Sequence, residues 1–154
     1  LGLVRQLGKA LLPYHVNAYT LMVAKTIYEN KELYKERIKT IRAERDKMAF
    51  YMQKLGFRVW PTATNFVMLR AEGELAEQLA KAYYAKYGKD LTEQAASGKM
   101  IFKYYLENSI LVRDFTTHPV LTGALRITVG LPEENKQILA KLTELVVEVQ
   151  GGKA

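Results

Sequence analysis

The sequence predicts an α/β domain, a small, largely antiparallel sheet with helices packed on it. Short apolar segments with strand character come in two pairs, Phe57 to Trp60 with Asn65 to Leu69, and Ile110 to Phe115 with Ala124 to Val129. Longer segments of near-helical period lie before, between and after these pairs. The length of 154 residues fits one ordinary core, burying about two-thirds of the unfolded surface. No repeat, low-complexity tract or long linker divides the chain. Residues 1–150 are therefore expected to form one domain, and residues 151–154, Gly-Gly-Lys-Ala, a disordered tail.

Taken in order, Leu1 to Leu12 opens without an initiator methionine, as expected of a piece cut from a longer polypeptide. Leu12 to Asn17 reads as extended, because the residue before Pro13 is pushed away from helix. Asn17 is a suitable N-cap for a helix to about Tyr28, with Asn30 at its C-terminal end. A second helix is predicted over Lys31 to Leu55, with Leu33, Ile38, Ile41, Met48, Met52 and Leu55 inward and Gly56 as its stop. After the first strand pair, Glu74 to Tyr87 reads as a helix with Leu75, Leu79 and Tyr83 inward, ended by Gly88. Lys89 to Gly98 is polar and is expected to be an exposed excursion. A short helix follows over Lys99 to Glu107. Tyr83, Tyr84, Tyr87, Tyr104 and Tyr105 read as packing residues with their hydroxyls at the surface. Pro132 suits the first turn of a last helix, with Glu133 and Glu134 beside it. Ile138, Leu142, Leu145, Val146 and Val149 make its inward stripe.

The chemistry concentrates in Ile110 to Gly130. Leu125, Ile127 and Val129 alternate with Arg126 and Thr128, and Leu111 and Val112 precede Arg113. The loop Thr116 to Gly123 lets the chain turn between the two strands. A guanidinium cannot lose its charge, and its fork of donors fits a carboxylate or phosphate. On neighbouring strands Arg113 and Arg126 would converge on one anion; otherwise both lie on a solvated sheet face. Asn65, at a strand entrance, reads as a turn or capping residue.

Composition excludes several other classes. With no cysteine, disulfides, thiolate catalysis and Cys-ligated zinc are excluded, and His15 and His118 are too few for a His-built metal site. Charge signs alternate along the helices, so the net +7 marks solvated faces rather than a nucleic-acid surface. No apolar run is long enough for a membrane span and no signal-peptide pattern is present, so a cytoplasmic location is expected.

Four motifs then fall into register: PYHVNAYT, NFVMLR, ILVRDF and LRITVGLPEEN. In this order and spacing, from about Leu11 to Val149, they resemble the C-terminal small domain of histidinol-phosphate aminotransferases. Those are class I/II, fold-type I enzymes that depend on pyridoxal phosphate. The resemblance implies that Arg126 receives the substrate carboxylate and that Arg113 helps hold the substrate phosphate. It also implies a homodimeric enzyme acting on small molecules of the glutamate and histidinol phosphate type. The family's cofactor lysine, its pyridine-nitrogen aspartate and its phosphate-cup residues lie upstream of this region, and no segment here matches them. The large domain is therefore expected to bind pyridoxal phosphate, and the fragment alone to be inactive. Two departures leave other substrates open. Leu131 stands where the family has a capping threonine, which should cost about 1 kcal/mol, and Tyr84 to Gly98 is longer than the family pattern. An aromatic aminotransferase or a threonine-phosphate decarboxylase-like relative would also fit, as would a stand-alone anion- or protein-binding module.

Overall fold

The computed structural model describes residues 2–10 and 16–151. The chain divides into two compact units, Leu1–Ile38 and Lys39–Ala154. The first holds α1 (Gly2–Ala10), which was not predicted, and α2 (Ala18–Glu29). Asn17 caps α2 as expected, its side chain accepting the Thr20 backbone N–H at 2.9 Å. No side chain of α2 is buried within this unit. Pro13, Tyr14 and His15 lie outside the described residues, as do 152–154 of the expected disordered tail.

A 3-10 turn (Lys31–Tyr34) leads into α3 (Lys35–Lys54), which crosses the boundary between the units. The predicted stripe of this helix is inward only in part. Met48 and Met52 are fully buried and Ile41 and Leu55 pack against the core, but Leu33 and Ile38 are exposed. From Ile41 onward α3 meets the core cluster, and its first turns do not.

In the second unit, β1 (Phe57–Val59), β2 (Phe66–Ala71), β3 (Arg113–Phe115) and β4 (Ala124–Thr128) form one sheet in the order β1-β2-β4-β3. Every neighbouring pair is antiparallel. The strand expected over Ile110 to Phe115 is shorter, because its ladder to β4 stops at the Arg113–Arg126 pair. Val67, Leu69, Ala71, Leu125 and Ile127 are buried on the face that carries the helices. The helices are α4 (Gly73–Tyr87), α5 (Glu93–Glu107) and α6 (Pro132–Val149), with α4 and α5 in close contact and α6 against both.

The predicted exposed excursion over Lys89 to Gly98 is corrected by α5, which begins at Glu93 and buries Ala95, Ala96, Ser97 and Gly98. Small side chains are required there. A Cβ on Gly98 would lie 2.4 Å from the Gly123 carbonyl oxygen, so the helix start sits directly on the loop that joins β3 to β4. The expectation for Tyr105 is also corrected. Its hydroxyl is inside and donates to the Ile138 carbonyl of α6 at 3.1 Å, and burial pushes its pKa up.

α6 begins at Pro132 as predicted. Leu131 has no side-chain acceptor, yet its own N–H donates to Glu134 Oε2 at 2.7 Å, so half of the reciprocal cap survives. Asn135, fully buried, ties the turn to two places. Its Oδ1 accepts from Gly130 N–H at 2.9 Å and its Nδ2 donates to Glu44 Oε2 on α3 at 3.0 Å.

Candidate anion-binding site

The helices cover one face of the sheet, and the pleat assigns the other by register. In an antiparallel pair, residues opposite each other share a face. Arg58 stands opposite Arg70, Met68 opposite Arg126, and Arg126 opposite Arg113. The open face thus carries four arginines, with Phe66, Thr128 and Phe115 among them. The structure places both predicted site residues together, side by side across the β3–β4 ladder.

Two like charges directly across a ladder are destabilising unless something compensates them. Glu72 compensates the Arg58–Arg70 pair, lying 3.3 Å from Arg58 Nη1 and hydrogen-bonded to Arg70 as well. Both guanidinium groups also approach the Trp60 ring, at 4.9 and 5.4 Å. Among the described residues, Arg113 and Arg126 have no counterpart to Glu72. Neither makes an ion pair or a hydrogen bond there.

The acid adjacent to Arg113 is turned the other way. Asp114 stands opposite Leu125, on the helix face. Its Oδ2 meets Lys99 Nζ of α5 at 2.5 Å. Its Oδ1 accepts from the Thr116 backbone N–H at 2.8 Å and from the Thr116 hydroxyl at 2.6 Å. Burial raises the pKa of this carboxyl, but the hydrogen bonds from Lys99 and Thr116 outweigh it and hold the carboxyl below its ordinary value. Asp114 is committed to α5 and its own loop, so the charge of Arg113 stays available.

Arg126 is half-buried, and its Nε is shut from solvent without a hydrogen-bond partner. An N–H buried in this way carries a cost. The two Nη nitrogens have no partner either but are not sealed in, so an arriving anion meets the Nη edge of the fork. With Arg113 beside it and exposed, the arrangement can grip a carboxylate or a phosphate. Among the described residues, the strands carry no lysine on this face. The Lys99 amine is engaged by Asp114 on the other side, so the site fits an anion grip and not the imine attachment of an aldehyde cofactor.

Sequence reasoning found both arginines but missed Phe66, Phe115 and the Lys99–Asp114 pair. The spacing of Arg113 and Phe115 put them on one face. Phe66 had no such signal, because its nearness to Arg126 depends on β2 pairing with β4. Among the described residues, no cluster of His, Cys, Asp and Glu could hold a metal ion, and no helix is long and apolar enough to cross a membrane.

Comparison with known proteins bears on the family and the fold. The sequence model of the family "Aminotransferase class I and II" matches residues 2–142. Histidinol-phosphate aminotransferase 1 of Carboxydothermus hydrogenoformans is 29% identical over 93% of this chain and 34% of its own length. A histidinol-phosphate aminotransferase of Mycobacterium sp. (strain JLS) is 30% identical over 88% of this chain and 29% of its own length. The chain thus spans about a third of the length of these curated relatives. Among solved structures, histidinol-phosphate aminotransferase from Clostridium acetobutylicum aligns with a TM-score of 0.62 at 18% identity, over 90% of this chain and 36% of its own. L-threonine-O-3-phosphate decarboxylase from Porphyromonas gingivalis aligns at 0.57 and 22%, over 85% and 34%.

Proposed function

Since the chain belongs to the class I and II aminotransferase family, we propose that it is the C-terminal small domain of a pyridoxal-phosphate-dependent aminotransferase acting on histidinol phosphate. Arg126 takes the carboxylate of the amino-acid substrate, and Arg113 helps hold the phosphate. Pyridoxal phosphate would be held by residues outside this chain and, when bound, would supply an electron sink for the transamination. Residues of this chain supply position. A substrate anion fixed by two parallel hydrogen bonds at Arg126 presents its amine in one direction, which removes part of the entropy cost of reaching the reacting arrangement. The large domain of the same enzyme, in a homodimer, completes the pocket. The names of the relatives support the substrate.

One observation carries this reading. Arg113 and Arg126 are register partners on an open sheet face with no carboxylate between them among the described residues. A phosphorylated amino acid of the phosphothreonine type would suit the same pair of cations, and the likeness to the decarboxylase fold keeps that reading in second place. The test is steady-state kinetics of the complete enzyme containing this chain, for the glutamate and histidinol phosphate half-reactions separately. Arg126→Ala should impair both, and Arg113→Ala should spare glutamate. Turnover of O-phosphothreonine to an amine, in place of transamination of histidinol phosphate, would favour the second reading. Near-normal kcat/KM for a folded Arg126→Ala enzyme with both substrates would return the two arginines to an ordinary solvated face.

A further inference from the structure

A grip works only if its guanidinium keeps one orientation, and Arg126 has no hydrogen bond to fix it. Its neighbours are aromatic. Phe66 of β2 stands opposite Thr128, and Phe115 of β3 stands opposite Ala124. Those are the positions two residues either side of Arg126 on β4. Each ring is therefore a diagonal neighbour of Arg126, one on each adjacent strand, within reach of a long side chain. The guanidinium carbon lies 5.0 Å from the Phe66 ring centre and 6.0 Å from that of Phe115. Phe115 also lies 5.9 Å from the Arg113 guanidinium. Its ring is met edge-on by His118, 5.9 Å away at 72°, from the following loop.

We infer that Phe66 and Phe115 are positioning residues, a diagonal aromatic clamp that holds Arg126 with its Nη edge toward the anion and, through Phe115, sets Arg113 beside it. This rests on the anion role proposed above for Arg126. The rings attract the cation through their quadrupole and strip water from beside it. The lost hydrogen bond of the sealed Nε is the cost of that fixed orientation. A side chain immobilised before the anion arrives has less freedom left to lose on binding. An aliphatic side chain can fill the same space but has no quadrupole, so space-filling and orientation can be separated.

The experiment measures KM, kcat and glutarate binding for the complete enzyme carrying Phe66→Leu, Phe66→Tyr, Phe115→Leu or Arg126→Ala. Glutarate has the carboxylates of the amino donor without its amine. Phe66→Leu should raise KM and the glutarate Kd by about two- to thirty-fold, with kcat nearly unchanged. Phe66→Tyr, which keeps the ring, should restore both. Phe115→Leu should weaken binding of the phosphorylated substrate as well, because that ring touches both arginines. If Phe66→Leu and Phe115→Leu lower the melting temperature while leaving KM and Kd at wild-type values, the rings serve packing alone and the clamp is refuted. If that occurs while Arg126→Ala still abolishes binding, only the clamp falls. If Arg126→Ala also binds normally, the proposed function falls with it. Should Phe66→Leu fail to fold, Phe115→Leu and Phe66→Tyr still decide, since the clamp requires the first to weaken binding and the second to preserve it.

Discussion

Two pairs of arginines share one face of this sheet, and they are treated in opposite ways. Arg58 and Arg70 stand across the β1–β2 ladder, close over Trp60 and bound to Glu72 from the end of β2. Arg113 and Arg126 stand across the β3–β4 ladder over Phe115 with no acid among the described residues, and the nearest carboxylate in sequence, Asp114, is held on the opposite face. The first pair shares one carboxylate, which offsets half of its charge and bridges the two cations without any ligand. The second leaves two like charges side by side and one buried N–H unanswered, an arrangement that an anion would relieve. The content of arginine is therefore a poor guide to a site; what matters is where the neighbouring carboxylates point.

The largest effect expected from breaking this contrast is at Arg126 in the complete enzyme. Its removal leaves the substrate anion in a partly desolvated place with no partner, a loss of roughly 2–5 kcal/mol. Arg126→Ala should then lower kcat/KM by a factor of about 30 to several thousand. Arg126→Lys should recover only part of this, because an ammonium cannot form two parallel hydrogen bonds. Kinetics of both half-reactions would measure it.

The next effect falls on stability. Lys99→Met removes the cationic partner of Asp114, leaving it only Thr116, and the carboxylate is three-quarters covered by protein, which should cost about 1–3 kcal/mol. A thermal melt should show a drop of about 2–12 °C. The folded-state pKa of Asp114 is depressed below 3.8, so the stabilisation by Lys99 is present above the unfolded value and is lost as pH falls through the folded one. Wild type and Lys99→Met should therefore differ near neutrality and converge in strong acid. A constant gap across pH would show that Lys99 stabilises by packing on Phe102, whose ring lies 4.8 Å from its amine.

A smaller change would convert the open pair into the closed kind. Met68 stands opposite Arg126 on the same face. Met68→Glu would supply the acid the site lacks and compete with the substrate anion. KM for glutamate should rise roughly tenfold, the equivalent of ~1.4 kcal/mol, while the melting temperature holds. An unchanged KM would mean that the anion does not approach the Met68 side of Arg126.

The smallest effect is at the closed pair. The hydrogen bond from Arg70 is the largest influence on the Glu72 carboxyl; burial opposes it, and with a smaller hydrogen bond from Arg58 the carboxyl is held below its ordinary value. That stabilisation is present above about 4.5, the ordinary value, and is lost as pH falls through the depressed one. Glu72 is 42% exposed, so the pair is screened by water. Glu72→Gln should cost no more than about 0.5 kcal/mol and leave kcat/KM unaltered. A loss of activity there would mean that the two arginine pairs act together.

What the sequence determined by itself is local. Asn17 before an apolar helical segment, Gly56 after α3, Pro132 with Glu133 and Glu134 at the start of α6, and the alternation around Arg126 each act through a few neighbouring residues, and each is found where it was predicted. The fold class followed, because strand pairs among helical segments leave few ways to bury both. Tertiary structure decided the rest. Four antiparallel strands can be ordered in several ways, and the order β1-β2-β4-β3 is what sets Phe66 beside Arg126. The polar look of Lys89 to Gly98 concealed a helix start whose small residues are chosen for close approach to Gly123, a partner invisible along the chain. Tyr105 reads as a packing residue with its hydroxyl at the surface until the Ile138 carbonyl is found to accept from that hydroxyl. Arg113 and Asp114 are adjacent charges in the sequence; only the pleat separates them, sending one to the open face and the other to Lys99.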